Sequence, residues 1–275
     1  MLPSYLLSLR EGIEAALIIG IVLGALRQMR RMDLSSAVWI GVISASLLSV
    51  LAGVLLTTLG LSFEGQAEQI FEGITMLLAA GVLTWMIFWM SRQARNIKGE
   101  LESGVHKAAF EGGKRGLFAL AFLAVLREGI ELALFLVASV FASDVQQTLI
   151  GAFLGLGTAI LLGWSLFATT VRLDLRRFFQ VTGFLLILFA AGLVAHGVHE
   201  FNEAGLIPSV IEHVWNVNPI LDENTTLGSM LKALFGYNGN PSLTEVLAYF
   251  AYFVAIFFGL RLSGRRAERA VQPQA

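Results

Sequence analysis

Cysteine is absent from this chain of 275 residues, which excludes disulfides, thiolate zinc sites and iron–sulfur clusters. Charge is scarce too. Asp, Glu, Lys and Arg make up 14% of the residues, against about a quarter in a soluble globular protein. The chain lacks a GxxxxGK[ST] phosphate loop and a GxGxxG turn after a strand pattern, which speaks against ATP hydrolysis within it. A net charge of −1 speaks against a nucleic-acid partner. The ten-residue alternating segments of a membrane β-barrel are missing as well. The first residues have no basic stretch, and charges interrupt their apolar run, so they read as a retained span rather than a signal peptide.

What the chain has in quantity is long apolar sequence, 56% hydrophobic residues with a mean hydropathy of +0.73. Seven runs approach or exceed the roughly 20 helical residues that cross a ~30 Å hydrocarbon core, at 2–26, 37–59, 68–90, 117–141, 146–171, 178–199 and 244–262. The reading is an all-α integral membrane protein with seven transmembrane helices.

Inside the first and fourth runs one pentapeptide occurs twice, as Arg10-Glu11-Gly12-Ile13-Glu14 and Arg127-Glu128-Gly129-Ile130-Glu131. A charged side chain at the bilayer centre costs about 2.5–3.5 kcal/mol on insertion scales, so such residues mark function. On a helix the arginine and both glutamates of each copy fall within an arc of about 100°. An Arg–Glu pair that only locked helices together would need one carboxylate per arginine. Each arginine here has two. The surplus acid suits a hard cation held by oxygen ligands, with Glu11, Glu14, Glu128 and Glu131 as the metal ligands and Arg10 and Arg127 as their partners.

Basic residues set the expected orientation. Arg27, Arg30 and Arg31 follow the first run, and Arg92, Arg95, Lys98, Lys107, Lys114 and Arg115 follow the third. Arg172, Arg176 and Arg177 follow the fifth, and Arg261, Arg265, Arg266 and Arg269 the seventh. By the positive-inside rule the N-terminus is outside and the C-terminus cytoplasmic. Runs one and four then cross in opposite directions. Leu78-Ala79-Ala80-Gly81-Val82-Leu83 is echoed by Phe189-Ala190-Ala191-Gly192-Leu193-Val194, and Gly41, Ala45, Ser49 and Gly53 by Gly151, Gly155, Ala159 and Gly163. These matches predict one transporter domain over 1–262, as an inverted 3+3 repeat plus a seventh helix. Repeat one covers about 2–90, repeat two about 117–199, an outer segment 200–243 and the last helix 244–262, with 263–275 as a disordered cytoplasmic tail. Rise per residue puts the four motif carboxylates near one depth.

The side opposite the basic loops collects acid and histidine. Glu68, Glu72, His196, His199, Glu200 and Glu203 are candidates for an entrance or pathway, and Glu212, His213, Asp222 and Glu223 join them in an acidic outer surface that concentrates cations.

Together with Phe71-Glu72-Gly73, Leu83-Thr84-Trp85-Met86 and Leu234-Phe235-Gly236-Tyr237, the doubled Arg-Glu-x-x-Glu motif resembles the oxidase-dependent iron permeases over essentially the whole chain. The resemblance implies a multi-pass permease of the bacterial inner membrane rather than an enzyme, with iron bound by Glu11, Glu14, Glu128 and Glu131. It implies iron as cargo, no permanently bound cofactor, and an extracytoplasmic iron oxidase or iron-binding protein as partner. Fe(III) is the expected species, since it is harder than Fe(II) and prefers an all-oxygen site. Two alternatives stay open at this point: a membrane ferroxidase with a carboxylate-bridged di-metal site, and a carrier of another metal cation such as lead.

Overall fold

The computed structural model describes residues 1–60, 62–93, 103–142, 145–168, 175–223 and 225–271. Among them there is no strand. The helices are α1 (Leu2–Gln28), α2 (Ser35–Gly60), α3 (Gln66–Gln93), α4 (Gly113–Ala142), α5 (Val145–Ala168), α6 (Leu175–Glu203), α7 (Thr226–Phe235) and α8 (Leu243–Val271). Pro3 sits in the first turn of α1, where its missing N–H has no helical partner to lose. A single π-turn at Ala108–Gly112 leads into α4.

Among the described residues, five stretches are long and apolar enough to cross a membrane: Met32–Gly60, Gln66–Phe88, Val145–Ser165, Arg177–Glu203 and Leu243–Leu262. Helices α1 and α4 match them in length, at 27 and 30 residues, but carry the charged pentapeptides. The final helix continues past the expected end at 262 to Val271, so residues 263–271 of the anticipated disordered tail are helical, and 272–275 lie outside the described residues.

The helices form two compact units, one of Met1–Leu59, Asn96–Val140 and Asp144–Phe179, the other of Gly60–Arg95, Phe141–Ser143 and Gln180–Ala275. The first holds the first two helices of each expected repeat. There the small residues seen in the sequence become close helix crossings. A methyl group on Gly12 would lie 2.6 Å from the Ala159 Cβ, and one on Gly163 would lie 2.8 Å from the Ala16 Cβ. In the matching pair, a methyl group on Gly129 would run into Ser49, and one on Gly53 would touch the Ala133 Cβ at 3.4 Å. Gly155 abuts the backbone of Tyr5 and Leu9, as Gly41 abuts that of Phe118 and Phe122. Both sets of contacts climb in step, so α1 runs parallel to α5 and α2 parallel to α4. Val22, Ala25 and Leu26 at the end of α1 share a core with Leu117, Ala121 and Val125 at the start of α4, so these two run antiparallel. The outward faces are apolar: Ile40, Leu47, Val50 and Leu51 on α2 and Phe153, Leu161 and Trp164 on α5 are each more than half exposed, which is favourable only in lipid.

In the second unit α3 crosses α6 where Gly73 meets Phe201 and Gly197 meets Leu77. Helix α7 starts at a Thr225 cap, whose hydroxyl accepts the Gly228 N–H at 3.1 Å. It stops at Gly236, which is left-handed at φ 67 and presses on the backbone of Gly192. The outer segment folds on itself through Val217 N–H to Gly239 O at 2.7 Å and Val214 N–H to Pro241 O at 3.0 Å. Thr84 and Tyr252 join α3 to α8 by hydroxyls 2.9 Å apart.

Overpacking a tight crossing costs roughly 1–3 kcal/mol. Gly12→Ala should therefore lower the thermal midpoint of the detergent-solubilised protein by several degrees, and Ala159→Gly in the same chain should recover most of the loss. An unchanged midpoint for Gly12→Ala would show that α1 and α5 are not in close contact at this level.

Candidate metal centre

Helix periodicity turns Arg10, Glu11 and Glu14 toward the interior of the first unit, and the arginine is held between its two acids. Its Nη1 donates to Glu11 Oε1 at 3.1 Å, and its Nη2 lies 2.9 Å from Glu14 Oε1. Arg10 and Glu11 are each 1% exposed. A planar guanidinium can serve two carboxylates in this way, and a lysine ammonium cannot hold the same geometry. On α4 the pattern is looser. Arg127 Nε donates to Glu131 Oε1 at 3.0 Å and stands 4.0 Å from Glu128, with about a third of the arginine side chain exposed.

The two antiparallel helices bring Glu11, Glu128 and Glu131 together. Each offers one carboxylate oxygen, and the three oxygens lie within 4.8 Å of one another. Ligands on opposite sides of an ion with metal–oxygen bonds of 2.3–2.6 Å stand about 5 Å apart, so one hard cation can touch all three. Glu11 Oε2, Glu128 Oε2 and Glu131 Oε2 are buried without a hydrogen-bond partner. A buried carboxylate in that condition is costly unless a positive charge satisfies it. Four carboxylates face two guanidiniums here, leaving two formal negative charges uncompensated.

The sequence placed all four glutamates on an equal footing. In the structure Glu14 falls outside the triplet and is engaged by Arg10, so the centre is three acids from two helices with the fourth beside them. The difference lies in the arginines. Arg10 is fully buried and binds both of its acids, whereas Arg127 leans outward and leaves Glu128 at 4.0 Å.

The other sequence candidates fall in the second unit. Among the described residues they form no second group with ligand atoms so close together. His196, 6% exposed, is turned to its own helix, with Nδ1 3.3 Å from Gly192 O. His199 bridges two acids, Glu203 at 3.2 Å and Glu245 at 3.4 Å. Glu203 also accepts from Gln69 at 3.1 Å. Glu68, Glu72 and Glu200 are half-buried at the start of α3 and the end of α6. Glu223 is not spare acid on the outer surface: it pairs with Lys232 at 3.3 Å and accepts the Gly239 N–H at 2.9 Å, which ties the outer segment together.

Sequence reasoning missed Glu245. It is 2% exposed at the first turn of α8, receives both its oxygens' hydrogen bonds from Asn238 at 2.9 and 3.1 Å, and meets His199. Its signal was available, since it is a lone acid at the head of the last apolar run, three residues after the Ser242 that accepts its N–H.

With this geometry in view, comparison with known proteins is specific. The chain is 36% identical over 277 residues to the ferrous iron permease EfeU of Escherichia coli O6:K15:H31 (strain 536 / UPEC), covering 98% of this chain and 100% of that one. It is 36% identical over 273 residues to EfeU of Shigella sonnei (strain Ss046), covering 98% and 99%. With EfeU of Yersinia pestis the identity is 36% over 257 residues, covering 92% and 91%. No solved structure matches the chain. Residues 1–268 match the iron permease FTR1 family, and the chain belongs to that family.

Proposed function

We propose that this protein carries iron across the bacterial inner membrane, and that Glu11, Glu128 and Glu131 hold the ion midway. Membership in a permease family supports transport of iron, and the relatives' names give ferrous iron as their cargo. The observation that carries the site is the set of three buried carboxylate oxygens within 4.8 Å, taken from the two helices that repeat the pentapeptide.

In this reading α1 and α4 join the five apolar helices as membrane spans, giving seven, with the N-terminus outside and the repeats inverted. The arginines make the site affordable in the bilayer without filling it. Arg10 neutralises one acid and fixes the orientation of Glu11 and Glu14, while Arg127 holds Glu131 by one oxygen and leaves the other toward the centre. An all-oxygen site with surplus negative charge favours Fe(III), supplied after extracytoplasmic oxidation of Fe(II) by a partner protein. Carboxylate-bridged di-iron enzymes use Glu-x-x-His pairs beside their glutamates, and the triplet contains no histidine. Glu68, Glu72, Glu200 and Glu203, with His199 between two acids, form a group in the second unit that raises the local cation concentration. No permanently bound cofactor is part of this scheme.

Glu11→Gln and Glu128→Gln should each cut the maximal rate of radioactive iron uptake into membrane vesicles at least tenfold while the protein stays inserted. Glu14→Gln should cost less, because Glu14 serves Arg10 rather than the triplet. Wild-type uptake by the Glu11 or Glu128 variant would refute the site. Lysine substitution should also separate the two motifs: Arg10→Lys, buried between two acids, should reduce uptake far more than Arg127→Lys. Wild-type uptake by both lysine variants would mean that the arginines act only as counter-charges.

A further inference from the structure

The two halves of the first unit can be laid on one another residue by residue, and the comparison shows where they differ. Arg10 and Arg127 fix the register of α1 on α4, and the crossings Gly12–Ala159 and Gly129–Ser49 fix that of α2 on α5. At one end of the unit, beyond the carboxylates, Val22 of α1, Val38 of α2 and Ala121 and Val125 of α4 belong to one apolar core. Their counterparts at the opposite end are Ser139 of α4, Thr148 of α5, and Ser4 and Ser8 of α1. All eight are buried, at 6% exposure or less. At these four positions an aliphatic side chain at one end answers to a hydroxyl at the other, while Val42 and its counterpart Ala152 are apolar at both. Other positions stay apolar at both ends, as with Ile18 and Phe135, and of the four hydroxyls that of Ser4 donates to Met1 O at 2.9 Å.

A second observation points to a ligand. Ser8 Oγ is fully buried and has no hydrogen-bond partner. An unmet buried hydroxyl is destabilising, while valine or alanine would fit an apolar interface without that cost. Ser8 lies one turn from Glu11 on the same helix.

We propose that the end lined by Ser4, Ser8, Ser139 and Thr148 is the route by which a partly hydrated cation reaches Glu11, Glu128 and Glu131, and that the Val22, Val38, Ala121 and Val125 end is its dry seal. This rests on the reading of the triplet as the cation site. Hydroxyl oxygens can replace waters of a metal's hydration shell one at a time, whereas a valine-lined constriction excludes both ion and water. The arrangement gives a nearly symmetric fold an asymmetric passage. The distribution of Lys and Arg puts the hydroxyl end outside, where the cargo arrives.

The absence of cysteine makes the test direct, because any single cysteine introduced is the only thiol in the chain. Ser8→Cys, Ser139→Cys, Val22→Cys and Val125→Cys would be treated, in open membrane fragments with both faces accessible, with a positively charged, membrane-impermeant thiosulfonate. Ser8→Cys and Ser139→Cys should react at least tenfold faster than the two valine-site variants. Equal rates, or faster reaction at the valine end, would overturn the proposal. Independently, Ser8→Val combined with Ser139→Val should lower iron uptake at least tenfold while the purified protein still binds iron; undiminished uptake would also overturn it. If the valine pair fails to fold, the thiol rates decide. Loss of iron binding in the unmodified chain would instead fault the metal centre and leave the thiol result standing.

Discussion

Everything in the first unit is arranged around the expense of burying four carboxylates with only two guanidiniums in an environment that cannot solvate them. A buried ion pair with one partner removed loses roughly 3–5 kcal/mol, so an excess of buried acid is not a stabilising device. In the proposed reading a cation completes it. The fold meets the rest of the cost locally: Arg10 is shared between Glu11 and Glu14, and Arg127 is anchored on Glu131. One oxygen each of Glu11, Glu128 and Glu131 is left buried without a hydrogen-bond partner, and these three acids form the proposed site.

Such a site needs helices that approach closely and do not drift. The glycine inside each pentapeptide supplies this, since it lies on the face opposite the acids and lets a neighbouring helix pack against the backbone. Gly12 receives α5 at Ala159, and Gly129 receives α2 at Ser49. The same five residues thus carry both the chemistry and the crossing that positions it. This explains why a charged motif and a packing motif coincide in sequence. Without a hydrophobic driving force between helices in lipid, close van der Waals contact at small residues is what holds such a crossing.

Much of this was legible in the sequence. Charges in an apolar run are conspicuous, and an exact repeat 117 positions apart, from Arg10 to Arg127, announces paired helices. The small-residue rows of α2 and α5 were visible, and they predicted close crossings correctly because backbone approach depends on side-chain size alone. What could not be read was the inequality among the four glutamates, which depends on how deeply each arginine sits. Nor could the pairing of Glu223 with Lys232, or of Glu245 with Asn238 and His199, be read from spacing. These contacts join residues of the outer segment and helix ends, where no periodicity constrains the partner. Glu223 therefore looked like spare surface acid, and Glu245 went unnoticed.

The central claim is that a single iron ion is held by oxygen atoms of Glu11, Glu128 and Glu131. X-ray absorption at the iron edge, on the purified full chain loaded with iron, reads this directly. The account predicts one iron per chain with a first shell of oxygen only, and loss of that iron in Glu11→Gln/Glu128→Gln. Two irons at bridging distance, imidazole nitrogen in the first shell, or an unaltered spectrum in the double variant would contradict it.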